Sequence, residues 1–361
     1  MSTTSLLSIV FKKSGPKSFV HFITNRCNAR CSFCFIDFDD ESSQVSTFEA
    51  NLKEIKLATA NLPKTIVNVN LTGGEPFIVK NIADIALHYL AYSHIHSIYI
   101  TTNGFYEDRI REFVVKVKSK LRAEQKVYLS ISLDGPELVH DSLRKVPGLF
   151  KRAIQSYRLI ESIGDHQVEP HISITVTKDN HRQCLDFYDW LCEQGIFNIG
   201  ITLERSQGVH EAQVFDFERV VSTYEELSRR ILKRELRSQK SFYAFCLGIK
   251  NQVMHELVIG SARKSGVRTP CSAGKDFFVV DANLNVKNCE PQGRLMGSLK
   301  EMSLQKILGT KNNRAYYRQN NINERCDCSY ECAKTVNILT NWRYLWKALA
   351  FALKAKLGPN R

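Results

Sequence analysis

The sequence predicts an α/β fold, a parallel sheet with crossover helices in the form of a twisted open sheet or a partial barrel. A small cysteine-rich α+β unit follows it. Three observations carry this expectation. Short β-rich runs alternate with amphipathic stretches up to residue 205, the pattern of repeated strand–helix–strand units. A polar or glycine-bearing loop follows each of the six strand runs. The cysteines are unevenly placed, with three near residue 30 and five after residue 270.

The first strand run is "SFVHFIT" (18–24), closed by "TNRC". The amphipathic stretch "FEANLKEIKLATANL" leads to "IVNVNLT" (66–72), which ends in "GGEP". "SIYITT" (97–102) ends in "NG" and is followed by "YEDRIREFVVKVKSKL". "VYLSISL" (127–133) ends in "DGP", and "PGLFKRAIQSYRLIESIG" follows it. "HISITVT" (171–177) and "NIGITL" (198–203) end in "KDN" and "ERSQG". In parallel α/β sheets reactive groups gather at the carboxyl ends of the strands. An ordinary surface loop explains one such segment, and less easily six.

Residues 211–265 read as a helical, basic bridge. Residues 266–334 change character. "FFVVDANLNVKNC" reads as a hairpin turning at Asp281 to Asn285, "GSLKEMSLQKIL" as a turn and short helix, and "CDCSYEC" closes the unit. The expected organisation is an N-terminal segment (1–17), a core (18–210), the bridge (211–265), the cysteine-rich unit (266–334) and a basic amphipathic C-terminal helix (335–361).

With 361 residues, 43% apolar and 24% charged, the chain has globular composition and room for a large core. No apolar run is long enough to span a bilayer. The N-terminus "MSTTSLLSIVFKKSGPK" puts its apolar patch before its positive charge, the reverse of a secretory signal. The expectation is a cytoplasmic protein whose eleven cysteines are reduced thiols. Cys184 and Cys192, within "HRQCLDFYDWLCEQG", read as inert buried thiols. The net charge of +13 concentrates in "RRILKRELRSQK" and at the C-terminus. It is compatible with nucleic acid, a membrane surface or a solvated helix face.

Cys27, Cys31 and Cys34 lie within eight residues, with no fourth cysteine nearby. A closed structural zinc site takes four ligands. Iron–sulfur clusters are held by thiolates, and three of them on one loop leave a cubane iron open to an outside ligand. A three-cysteine zinc site completed by a distant histidine, or coincidental thiols, are the alternatives that spacing alone leaves standing.

With "TGGEP" (Thr72 to Pro76), "TTNG" (Thr101 to Gly104) and "SISLDGP" (Ser130 to Pro136) following in order, residues 18–205 resemble the radical S-adenosylmethionine (radical SAM) superfamily. The resemblance implies a partial (β/α)6 barrel in which Cys27, Cys31 and Cys34 hold a [4Fe–4S] cluster and SAM chelates the fourth iron. It places Phe33 by the adenine, and makes Gly73, Gly74 and Glu75 the loop that meets the methionyl amine. Thr102, Asn103, Ser132 and Asp134 become cofactor contacts, and Arg144 the partner of the methionyl carboxylate, which a guanidinium fork suits. Glu204 and Arg205 are placed toward substrate. It implies reductive cleavage of SAM to a 5′-deoxyadenosyl radical that takes hydrogen from a substrate. An external one-electron donor of the flavodoxin or ferredoxin kind would be the partner.

Cys271, Cys289, Cys326, Cys328 and Cys332, with the hairpin and short helix between them, resemble the auxiliary-cluster extensions called SPASM or, when shorter, twitch. Five thiols fall short of the two-cluster form, so one auxiliary cluster with four of the five as ligands is expected. A four-cysteine zinc knuckle is the competing reading.

The tail "NWRYLWKALAFALKAKLGPNR" repeats Trp342, Leu345, Trp346, Leu349, Leu353 and Leu357 at helical spacing, with Arg343, Lys347, Lys354 and Lys356 as its charge. This fits an interfacial helix at a membrane surface, and equally a helix that packs its stripe onto the protein. Three substrate classes stay in play, namely a peptide or protein, a lipid, sugar or other metabolite, and RNA. No appended RNA-binding module speaks for the third. A non-catalytic cluster-binding or zinc-binding relative is the reading from outside the enzymes.

Overall fold

The computed structural model describes residues 15–34, 36, 49–205, 217–237, 242–263, 270–291, 293–323, 328–344, 346–347 and 350. Six strands lie side by side in chain order, all parallel. They are β1 (Ser18–Thr24), β2 (Asn68–Gly73), β3 (Ser97–Thr102), β4 (Lys126–Ser132), β5 (Val168–Val176) and β6 (Ile199–Leu203). Each crossover carries a helix: α1 (Leu52–Ala58), α2 (Ile82–Leu90), α3 (Glu107–Lys118), α4 (Glu137–Arg144) with α5 (Leu149–Ile163), and α6 (His181–Glu193). The sheet does not close, so the six units form a partial barrel.

Every residue of β1 is buried, because it is covered on both faces. Strand side chains alternate. Phe19 and Ile23 therefore join the main core under the helices, while Val20 and Phe22 join a second, smaller core. The α1 helix starts at Asn51, whose side chain accepts the N–H groups of Lys53 and Glu54 while Glu54 reaches back to the Asn51 N–H, a reciprocal cap. The repeated strand–helix–strand pattern calls for a crossover helix where α2 lies, but the extents of α2 and α4 were not read from the sequence, since each is short and lacks a long periodic pattern.

The expected hairpin joins the same sheet. Strand β7 (Phe277–Val280) pairs parallel with β1 on the edge away from β2, and β8 (Asn285–Lys287) and β9 (Leu295–Ser298) continue antiparallel. Asp281 shapes the turn by accepting the N–H groups of Asn283 and Asn285 at 3.0 Å each. Strand β9 was not read from the sequence, and only its last two residues, Gly297 and Ser298, fall in the stretch read as a turn and short helix. Its glycine and lone methionine carry no alternating signal.

The bridge folds as α7 (Phe217–Arg237) and α8 (Phe242–Ala262). The basic run on α7 is tied down locally. Arg229 pairs with Glu225 and Glu226, Arg230 with Glu226 and Asp189, and Arg234 donates to the Phe197 carbonyl and to Cys192 Sγ. Such pairing of these three arginines fits a solvated, packed helix face.

After β9 come α9 (Leu304–Gly309), α10 (Lys311–Tyr316), a π-helical stretch (Tyr317–Asn323) and α11 (Glu331–Thr340), which packs on α8. The expected boundary after residue 334 falls inside α11. The expected C-terminal helix is interrupted at Asn341, where the backbone is extended. Cys326, residues 1–14, Leu345, Leu349 and residues 351–361 lie outside the described residues.

Candidate active site

At the carboxyl ends of the parallel strands lies a cavity of about 290 Å³ that reaches both groups of cysteines. Its first wall is the loop after β1, which brings Cys27, Cys31, Phe33 and Cys34 to the cavity. Two neighbours fix this loop. Gly74 N–H donates to the Thr24 carbonyl at 2.9 Å and Glu75 N–H to the Arg26 carbonyl at 2.8 Å. On the other side, Arg30 and Ser32 N–H groups donate to the Arg144 and Leu143 carbonyls at 3.1 and 3.0 Å, at the end of α4.

The glycines of "GGE" are explained first by this packing. A Cβ on Gly73 would collide with the Thr24 carbonyl, and one on Gly74 with the Arg26 carbonyl. Only glycine lets the two backbones touch. The sequence reading gave the same glycines to close approach by a ligand. The structure adds a second loop as the thing approached.

Glu75 is buried, and accepts from the Thr102 hydroxyl at 2.7 Å and from the N–H groups of Asn103 and Phe77 at 2.7 and 3.0 Å. It thereby ties the second strand end to the third. A carboxylate has about four acceptor positions, so three donors leave room for an ammonium on the cavity side. Asn103 also donates to Asn28 Oδ1 at 2.8 Å, next to Cys27. Thr102, Asn103 and Ser132 line the cavity.

Asp134 departs from the expectation of a direct cofactor contact. It is fully buried and does not line the cavity. Its Oδ2 receives Arg144 Nε and Nη2 at 2.7 Å each, and its Oδ1 receives Thr175 N–H at 2.9 Å. A buried carboxylate needs such donors, and here they aim Arg144. The guanidinium then reaches the cavity, with Nη1 3.8 Å from Cys31 Sγ and Cζ 5.6 Å from the Phe33 ring centroid.

Burial pushes the Cys27 and Cys34 thiols up to about 11 and raises Cys31 as well. They are thiols until a metal displaces their protons. Among the described residues, no three His, Cys, Asp or Glu side chains converge on the position of a single ion. Cys27, Cys31 and Cys34 all line this one cavity, a set of thiols that fits an iron–sulfur cluster.

The late cysteines approach the same cavity from the other side. Cys271, Cys289, Cys328 and Cys332 gather around the small core of Val20, Phe22, Phe277 and Val279, on the inner face of β1 and β7. Cys332 also lines the cavity, with Glu290, Tyr330, Glu204 and Arg205. Arg205 pairs with Glu290 and lies 4.6 Å from the Tyr330 ring centroid, while Glu331 accepts the Leu203 N–H at 3.1 Å. The end of β6 therefore holds two of the segments that carry late cysteines. Cys184 is buried as expected, Cys192 is half-buried and Cys246 exposed.

Asn70, Thr72, Ser173, Thr175 and Thr202 line the barrel interior and were not singled out from the sequence. Their signal was the polar member of each alternation in "NVNLT", "SITVT" and "GITL".

Residues 22–203 match the profile of the radical SAM superfamily. The sporulation killing factor maturation protein SkfB of Bacillus subtilis (strain 168) is 28% identical over 204 residues, 55% of this chain and 46% of that protein. The chain spans about half the length of the curated relatives it matches. Among solved structures, native anSMEcpe with bound AdoMet superimposes with a TM-score of 0.62 at 15% identity, over 94% of this chain and 100% of that one. Streptococcus suis SuiB bound to precursor peptide SuiA gives 0.60 at 15% identity, over 90% and 73%. At that identity the likeness is one of fold.

Proposed function

This chain belongs to the radical SAM superfamily, and on that premise we propose that it abstracts hydrogen from a peptide. In this reading Cys27, Cys31 and Cys34 hold the [4Fe–4S] cluster, and Cys271, Cys289, Cys328 and Cys332 hold one auxiliary cluster. One observation carries it: a single cavity is lined by the first three thiols, by Glu75 and Arg144, and by Cys332.

Held there by Cys27, Cys31 and Cys34, a cluster with SAM would supply radical chemistry once an external one-electron donor reduced it. The chain's own residues orient and enclose. Glu75 offers an acceptor to the methionyl amine, and Arg144, aimed by Asp134, offers a fork to the methionyl carboxylate. Phe33 gives the adenine a face. The barrel interior of Asn70, Thr72, Ser173, Thr175 and Thr202 presents donors and acceptors suited to peptide groups. A peptide substrate is favoured because SkfB is named as a maturation protein and SuiB was solved with a precursor peptide.

The test is anaerobic reconstitution, counting of iron and sulfide, then reduction with dithionite in the presence of SAM. About eight irons per chain and formation of 5′-deoxyadenosine support the reading. About four irons with cleavage would remove the auxiliary cluster from it. Iron bound without cleavage would leave a non-catalytic relative. Separate alanine variants of Cys271, Cys289, Cys328 and Cys332 that keep all the iron would overturn the late ligand set.

A further inference from the structure

Past α11 the chain leaves two tryptophans in solvent. Asn341 breaks α11, and its side-chain oxygen accepts the Arg343 N–H at 3.1 Å while its carbonyl accepts the Tyr344 N–H at 3.0 Å. This is an N-cap, and it starts a new helix on its own axis. Residues 342–344, 346–347 and 350 are helical. Tyr344 turns inward onto the apolar cluster of Val253, Met254, Leu257 and Ile338. Trp342 and Trp346, four residues apart and so on one helix face, turn outward and are 65% and 62% exposed. Arg343 and Lys347 stand beside them, both exposed, with Lys347 also reaching Glu256 at 2.7 Å. Among the described residues the tail therefore rests on the protein by its Tyr344 side and leaves the tryptophan side bare.

Charge selects what covers that face. Residues 335–361 contain five Lys or Arg and no Asp or Glu. In the sequence the tryptophan row continues at helical spacing to Leu349 and Leu353, and the basic row to Lys354, all outside the described residues. Indole rings favour the boundary between hydrocarbon and headgroup, and neighbouring basic side chains favour anionic lipid. A second copy of this chain would bring the same positive charge and repel it. We propose that this helix docks the protein onto an anionic lipid surface, with Trp342 and Trp346 as interfacial anchors and Arg343 and Lys347 meeting lipid phosphates.

The experiment is co-sedimentation of the reconstituted full-length chain with phosphatidylcholine vesicles containing phosphatidylglycerol, and with phosphatidylcholine alone. The wild type is expected to sediment with the anionic vesicles, more weakly with neutral ones, and to lose binding as salt rises. W342S/W346S should bind about tenfold more weakly or worse while keeping its iron content and SAM cleavage. R343E should weaken binding to anionic vesicles alone. The chain has three tryptophans, and Trp190 stacks on Phe187 at 5.7 Å. A blue shift of tryptophan emission on adding vesicles, absent from the double variant, therefore reports tail insertion. Equal sedimentation of wild type and W342S/W346S overturns the proposal. So does a self-associated species that disappears in the double variant when neither vesicle is bound.

Discussion

Arg205, just past β6, and Glu290, one residue after Cys289, form an ion pair that joins the parallel barrel to the cysteine-bearing unit. The Tyr330 ring lies against the guanidinium, and Glu331 accepts from the same strand end. One residue thus organises the 289–290 and 330–332 segments. The pair is part-buried, so removing one partner strands a partly desolvated charge and costs about 1 to 3 kcal/mol. R205M and E290M should each lower the urea midpoint and the iron content. The double variant should lose less than the sum of the two. Additive losses would mean that the pair is not coupled.

In the proposed site Asp134 would act on the cofactor at one remove, by aiming Arg144. R144M removes the fork and should weaken SAM binding about 10- to 100-fold, the worth of a charge-assisted hydrogen bond. D134N keeps the guanidinium but loosens its aim and should weaken binding less. Anaerobic equilibrium dialysis with SAM reads both. Equal affinities for R144M and wild type would take Arg144 out of the site.

The glycine loop and the cysteine loop are one packed object. Gly74→Ala drives a methyl into the Arg26 carbonyl, and Gly73→Ala one into the Thr24 carbonyl. Each should destabilise by about 2 kcal/mol or more and reduce iron bound at the first site. Iron content in a variant lacking the late cysteines gives the readout. A full iron complement in Gly74→Ala would mean that the loops can part without harm.

Two buried histidines make stability depend on pH. Burial holds His21 and His255 well below their usual value, to about 3 each. His21 Nδ1 meets the Tyr89 hydroxyl at 2.9 Å and its Nε2 has no partner among the described residues, while His255 Nδ1 meets Ser228 Oγ at 2.9 Å. Both are neutral in the folded state and charge more readily when unfolded. Their contribution is complete above pH 6.5 and is lost as pH falls toward 3, at up to about 1.4 kcal/mol per pH unit each. The unfolding midpoint should fall between pH 7.5 and 5.5, and fall less in H255Q. An identical pH slope in H255Q and wild type would contradict this.

Much of the fold was legible because local chemistry and global pattern agree. The six strands alternate with amphipathic stretches, and β1 and β3 begin and end where their apolar runs do. The site was legible for the same reason: Cys27, Cys31, Cys34 and Glu75 sit in short motifs at strand ends, where a parallel sheet must gather them. The extent of α2, α4 and β9 was not, since short elements draw their stability from packing rather than from propensity or period.

By itself the sequence determined the family and the order of the strands, and it named most of the residues that gather at the cavity. It could not separate a residue that touches a ligand from one that aims its neighbour. Asp134 and Arg144 read alike in "SLDGP" and "HDSLR", and only their burial and mutual geometry set one behind the other. Nor could it say that β7 would extend the barrel sheet beside β1, bringing Cys332 to the cavity of Cys27. Contacts between residues some three hundred positions apart are set by how apolar faces are buried, and no local pattern encodes them. The tail follows the same rule. Helical spacing gave its two faces, and packing of Tyr344 on α8 decided which one stays bare.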